Sequence, residues 1–127
     1  MMTALTRILY VEDEPDIREV ASMALQALGG YQICCCESAQ QALTKGPAFA
    51  PQLLLLDVMM PGMDGPQLLQ QWRQLSGQAR VPVIFMTAKV QPKEVEELKQ
   101  LGALAVISKP FDPMQLAAQI ETIWKQV

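Results

Sequence analysis

The chain has 127 residues, half of them hydrophobic, and a formal net charge of −3. That length suits one domain with a core that needs no staples, and the composition excludes disorder. The acidic balance excludes a global attraction to nucleic acid or anionic lipid, and no apolar run approaches the roughly 18 residues of a membrane span.

Arg7 to Val11 reads as the first strand and runs into Glu12-Asp13-Glu14. An acidic end of this kind is not a signal peptide, so a cytoplasmic setting is expected. Pro15 suits the first turn of a helix. Ile17, Val20, Ala21, Ala24, Leu25 and Leu28 then recur at helical spacing until Gly29-Gly30. That stripe is expected to face inward, leaving Arg18, Ser22 and Gln26 to solvent. Tyr31 to Cys36 reads as the second strand. Its three contiguous cysteines lack a C-x-x-C spacing, and the chain has no histidine, so no zinc site is expected. Neighbours on a strand point to opposite faces, which disfavours a disulfide between them. The absence of histidine also removes every mechanism that needs an imidazole base. Ser38 is the expected N-cap of a short helix carrying Ala39, Ala42 and Leu43, closed by Gly46-Pro47.

The third strand is Leu53-Leu54-Leu55-Leu56, delivering Asp57 at its end. Four leucines in a row fit a strand covered on both faces, the mark of a parallel α/β sheet. Ligands bind such sheets at the carboxyl ends of the strands, so Asp57 is the first candidate for chemistry. Turn formers follow at Met60-Pro61-Gly62-Met63-Asp64-Gly65. Helix three should bury Leu68, Leu69, Trp72 and Leu75 and end at Ser76-Gly77. Strand four is Val83 to Met86, leading to Thr87-Ala88. Helix four opens at Pro92, with Val95, Leu98 and Leu101 inward and Glu94, Glu96 and Glu97 outward, and closes at Gly102. Strand five, Ala103 to Ile107, ends in Ser108-Lys109-Pro110. Asp112 caps helix five and Pro113 starts it; Leu116, Ala117, Ile120, Ile123 and Trp124 form its inner stripe. Five strand–helix repeats with short connections predict one doubly wound parallel (βα)5 sheet over residues 1–127, with right-handed crossovers.

The strand ends then share one edge. Strand one brings Glu12 and Asp13, strand three Asp57, strand four Thr87 and strand five Lys109. Each pair of carboxylates about 4 Å apart repels by about 4 kcal/mol at an effective dielectric of 20. Such a cluster raises a pKa or recruits a cation, and Mg²⁺ is the cation that suits a few carboxylates beside phosphate oxygens. The Lys109 amine and the Thr87 hydroxyl suit the phosphate itself. A phosphoryl group moved onto a carboxylate is the chemistry this set could serve.

Four segments carry a resemblance: Val11-Glu12-Asp13-Glu14-Pro15, Leu56-Asp57-Val58-Met59-Met60-Pro61-Gly62-Met63-Asp64-Gly65, Met86-Thr87-Ala88 and Lys109-Pro110-Phe111. In order and spacing they resemble the motifs of the response-regulator receiver domain. The resemblance implies a flavodoxin-like sheet of order 2-1-3-4-5 and a two-component switch that is no enzyme beyond its own phosphorylation and dephosphorylation. Asp57 would take a phosphoryl group from a histidine kinase or histidine phosphotransfer protein and pass the signal to a downstream protein, without direct nucleic-acid or membrane binding. Asp13, Asp57 and the Met59 backbone carbonyl would hold Mg²⁺, with Glu12 acting through water. Thr87 and Lys109 would bind the phosphoryl oxygens, Ala88 would move with Thr87, and the Lys109–Pro110 peptide would be cis. Glu14, Arg18 and Ser22, with Pro110-Phe111, would surround the mouth where the donor approaches. Met59 and Lys89 stand where the attacking water is held or excluded. Neither can act as its base, so slow self-hydrolysis is expected.

Two positions depart from the family's pattern. Glu12 stands where aspartate is commoner. Val106 stands where the family usually carries Tyr or Phe, an aromatic that moves inward on activation. Val106 favours the alternative reading, a phosphorylation-independent receiver-like interaction module. Two rivals fit less well. A phosphoaspartate hydrolase usually carries a second aspartate two residues after the first, and here that residue is Met59. A flavin-binding protein of this topology would meet phosphate with Glu12-Asp13-Glu14.

Overall fold

Strands and helices alternate throughout the computed structural model, which describes residues 3–127. In chain order they are β1 (Arg7–Val11), α1 (Pro15–Ala27), β2 (Gln32–Cys36), α2 (Ala39–Phe49), β3 (Leu53–Asp57), α3 (Gly65–Trp72), β4 (Val83–Thr87), α4 (Pro92–Gln100), β5 (Ala103–Ser108) and α5 (Pro113–Lys125). The strands form one parallel sheet in the order β2-β1-β3-β4-β5, as the resemblance implies. Val11 pairs with Leu56 and Asp57 with Met86, so the strands run out level at one edge.

The leucine run shows why that edge is rigid. Leu53 and Leu55 enter the core layer built with Ala21 and Leu25 of α1 and Leu116, Ile120 and Trp124 of α5. Leu54 and Leu56 enter the opposite layer with Ala42 of α2, Leu68 and Trp72 of α3 and Leu98 of α4. All four leucines are fully buried. Each contributes about 1.5–3 kcal/mol relative to exposure, which holds the acid at the strand's end in place.

Four local expectations need correction. The stripe on α1 is rotated: Val20 and Leu28 are about half exposed, whereas Arg18 and Ser22 are half-buried. Arg18 turns back to the carbonyls of Glu12 and Asp13, and Ser22 donates to Cys35 Sγ at 3.3 Å, so the polar face lies toward the sheet. Helix α2 runs through Gly46-Pro47 to Phe49, and Ala50 ends it in the left-handed region at φ 55°. Gly46 serves close packing, since a Cβ there would lie 2.5 Å from Trp72 and 2.9 Å from Leu9. Helix α3 stops at Trp72, where tighter bonds from Gln74 and Leu75 take over; Leu75 still packs on the core. On α4, Leu101 is 43% exposed and Glu94 is half-buried. Glu94 shares the face of buried Leu98, four residues on.

Gly46→Ala should therefore destabilise the fold by about 1 kcal/mol, although alanine is the better helix former. Urea unfolding measures it; an unchanged or raised midpoint would show that Trp72 yields freely.

The three thiols are free. Cys36 is fully buried, and burial, reinforced by its neighbour Cys34, pushes its thiol up to about 12. It is a packing group, not a nucleophile. Among the described residues, no helix is long and apolar enough to cross a membrane.

Candidate functional site

Period-two alternation carries the acids to one face of the edge. Ile8 and Tyr10 lie in the α1/α5 layer, and Glu12 follows two residues on. Leu53 and Leu55 lead to Asp57 in the same way, and Ile107 leads to Lys109. Thr87 has the opposite parity, following Val83 and Phe85 of the other layer.

Backbone bonds extend the ladders past the strands. Glu12 N–H donates to Cys36 O at 3.1 Å, Val58 N–H to Met86 O at 3.0 Å, and Lys109 N–H to Thr87 O at 2.9 Å. Behind Asp57, the chain enters α3 through a capping box between Asp64 and Gln67. Gly65 is required there: a Cβ would lie 2.5 Å from the Asp57 carbonyl oxygen. The Lys109–Pro110 peptide is cis.

Glu12, Asp13 and Asp57 each offer an oxygen within 4.8 Å of the others. Glu12 is fully buried, Asp57 is 3% exposed and Asp13 is half-buried. The Lys109 amine reaches between two of them, 2.9 Å from Glu12 Oε1 and 3.3 Å from Asp57 Oδ2. Glu12 Oε2 also accepts from Glu14 N–H at 3.3 Å. Burial, then the Glu12 carboxylate alongside, pushes Asp57 up to about 7, with Lys109 pulling the other way. For Lys109, burial acts to lower the pKa, but Glu12 and Asp57 more than offset it and the net shift is upward. The amine therefore stays charged in a site where the carboxylates compete for it.

Compact, hard, anionic donors fit Mg²⁺ by charge and type. Lys109 pairs with Glu12 and Asp57, and Asp13 completes a cluster with more carboxylates than cations, a charge balance that a divalent cation would suit.

The remaining candidates stand around this centre. The Thr87 hydroxyl is buried and accepts from Lys89 N–H at 3.0 Å, so it is turned to its own loop. Met59 is 61% exposed at the mouth; Ala88 and Lys89 are exposed. Val106 is half-buried and lines an open groove with Val90, Val95 and Ile123, some distance along β5 from the acids. Ile17, Val20, Ala88, Pro110 and Phe111 border an apolar cleft of about 500 Å³ beside Lys109.

One residue at the edge escapes the sequence pattern and another departs from its expected role. Arg18 is expected at the mouth with its side chain in solvent, but its guanidinium clamps the carbonyls of Glu12 and Asp13. Its place in the first turn of the helix after the acidic strand end was the available signal. Tyr10, two residues before Glu12, is fully buried with no partner for its hydroxyl. Burial, then the charge of Glu12, raises its pKa. Only the period of two could have placed it beneath the acids.

Residues 8–121 match the family described as "Response regulator receiver domain". The chain is 36% identical over 132 residues to "Regulatory protein AtoC" of Escherichia coli, a match covering 99% of this chain and 28% of that protein. It is 34% identical over 116 residues to "Response regulator Rre1" of Synechocystis, covering 91% of this chain and 50% of that one. The chain thus spans about half, or less, of the length of these curated relatives. Among solved structures, the chemotaxis protein CheY4 of Vibrio cholerae superposes with a TM-score of 0.85 at 28% identity, covering 94% of this chain and 99% of that one. A response regulator from Desulfuromonas acetoxidans gives 0.83 at 26%, covering 96% and 98%.

Proposed function

The chain belongs to the response regulator receiver domain family, and on that premise we propose that Asp57 is its phosphoacceptor, charged by the phosphohistidine of a partner kinase or phosphotransfer protein. The observation that carries this reading is the convergence of three carboxylates within 4.8 Å, one of which, Asp57, Lys109 reaches at 3.3 Å.

Glu12, Asp13, Asp57 and the Met59 carbonyl would hold Mg²⁺, which when bound neutralises charge on the phosphoryl oxygens. An Asp57 carboxylate oxygen forms the new bond to phosphorus. The phosphorus–nitrogen bond of the donor breaks, and its electron pair returns to the imidazole. Lys109, already 3.3 Å from Asp57, meets the charge that arrives. Thr87 exchanges its bond from Lys89 N–H for one to a phosphoryl oxygen, drawing Ala88 with it. Burial of Glu12 and Asp57 keeps bulk water from the acceptor. The apolar cleft bordered by Ile17, Val20 and Phe111 suits an apolar stripe on the donor, beside the mouth. Arg18 belongs to the site's scaffold in this reading, so its reversal would disturb labelling and recognition together.

Incubation with acetyl phosphate and Mg²⁺ tests the assignment by intact mass. The wild type should gain one phosphoryl group, and Asp57→Asn should gain none. Labelling of both alike would sink it. Val106 supports the second reading, an interaction module indifferent to phosphorylation. That reading expects Asp57→Asn and labelled wild type to capture one downstream partner equally well, whereas the switch expects them to differ.

A further inference from the structure

A cavity of about 400 Å³ lies on the far side of Thr87, between the start of α3 and α4. Val58 and Leu98 wall it, and Thr87, Lys89, Glu94 and Glu97 all border it. Glu94 Oε2 is buried without a hydrogen-bond partner. Among the described residues, Glu94 has no cation within 4.0 Å, and Lys89 has no carboxylate within 4.0 Å. Glu97 is exposed, so Glu94 is the carboxylate with a buried, unpartnered oxygen, and it shares one space with the unpaired Lys89 ammonium.

We propose that Glu94 is a positioning residue that draws Lys89 into this cavity and away from the phosphoryl group on Asp57. The inference rests on Asp57 being the phosphoacceptor. A buried carboxylate oxygen without a partner is costly, which gives Glu94 a standing demand for a cation. Lys89 is exposed, and its four-carbon stem can carry the charge to either side of its loop. In the unlabelled protein its main chain is pinned by the bond from Lys89 N–H to Thr87 Oγ1. Once the Thr87 hydroxyl turns to the phosphoryl group, that bond is lost and the loop is released. The phosphoryl group on one side and Glu94, with exposed Glu97 beside it, on the other then compete for one ammonium. Held by Glu94, Lys89 leaves the line of water's approach open. Held by the phosphoryl oxygens, it would cover that line and lengthen the lifetime. Lifetime is then set from α4 as well as from the two positions beside the acid.

The test labels the full chain with acetyl phosphate, removes the donor and follows decay in the wild type, Glu94→Gln, Lys89→Met and the double variant. Glu94→Gln should lengthen the half-life about threefold, the scale of a partly exposed ion pair. It should change nothing in the Lys89→Met background. An unchanged half-life, or the same change in both backgrounds, overturns the proposal. A second measurement needs no phosphoryl group. In Thr87→Ala, where Lys89 N–H has lost its side-chain acceptor, the NMR signals of the Lys89 ε-methylene should move when Glu94 becomes Gln; stationary signals overturn the pairing. Wild-type protein that takes no label overturns the Asp57 reading, and this proposal with it.

Discussion

Asp57→Asn should stabilise the metal-free protein by about 2 kcal/mol near pH 8, and by almost nothing near pH 4. In the fold, burial and the neighbouring Glu12 raise this acid from 3.8 to about 7. Between those two values the folded chain holds a proton that the unfolded chain has released. The slope of stability with pH is then negative: this group costs nothing below its unfolded pKa, and its penalty grows until pH passes about 7. A shift of that size corresponds to an upper bound of about 4 kcal/mol at 1.36 kcal/mol per unit. Asparagine gives up the attraction to Lys109 and must satisfy its own amide, which takes back part of the gain. Urea unfolding in chelator at a series of pH values reads the difference. Parallel curves for the two proteins would show that Asp57 ionises as freely in the fold as outside it. Mg²⁺ should narrow the gap by stabilising the wild type through binding, the linkage expected of a site strained without its cation.

That strain is legible in the amino-acid sequence. Three strands each ended on an acid or a lysine, and a parallel sheet collects such ends at one edge. Leu53 to Leu56 identified the central strand because residues buried on both faces have no polar partner in the period. Prolines in the first turns of α1, α3, α4 and α5 marked the helix starts well. Helix ends were less legible. Gly46-Pro47 looks like a stop, yet Gly46 lies against Trp72, a contact that only tertiary packing creates. The inner face of α1 was misread because its periodic apolar set is broad enough to allow a rotation. Hydrogen bonds from Arg18 and Ser22 decided the outcome. Glu94 was read outward because a charge at a helix start is usually solvated; its proximity to Leu98 in the helical turn was the contrary signal.

Lys109→Met should have the opposite sign and a larger effect, a loss of about 3 kcal/mol near pH 8. Its amine sits 2.9 Å from Glu12, which is fully buried, and 3.3 Å from Asp57, which nearly is. Methionine fills a similar volume, so packing changes little and the lost charge dominates. Two buried carboxylates then face each other, with Asp13 beside them and no cation between. The loss should shrink as pH falls through the value of about 7 at Asp57, because protonation does part of what the lysine did. It should also shrink by about 1–2 kcal/mol in the Asp57→Asn background, where only Glu12 still needs the amine. The four proteins of this cycle, unfolded at two pH values, isolate that coupling. A loss that is independent of both pH and Asp57 would mean that Lys109 supports the fold through its stem and leaves the acids unaffected. If the coupling holds, one amine balances the buried acids of the resting site, and under the function proposed above the same charge would meet the phosphoryl oxygens that arrive.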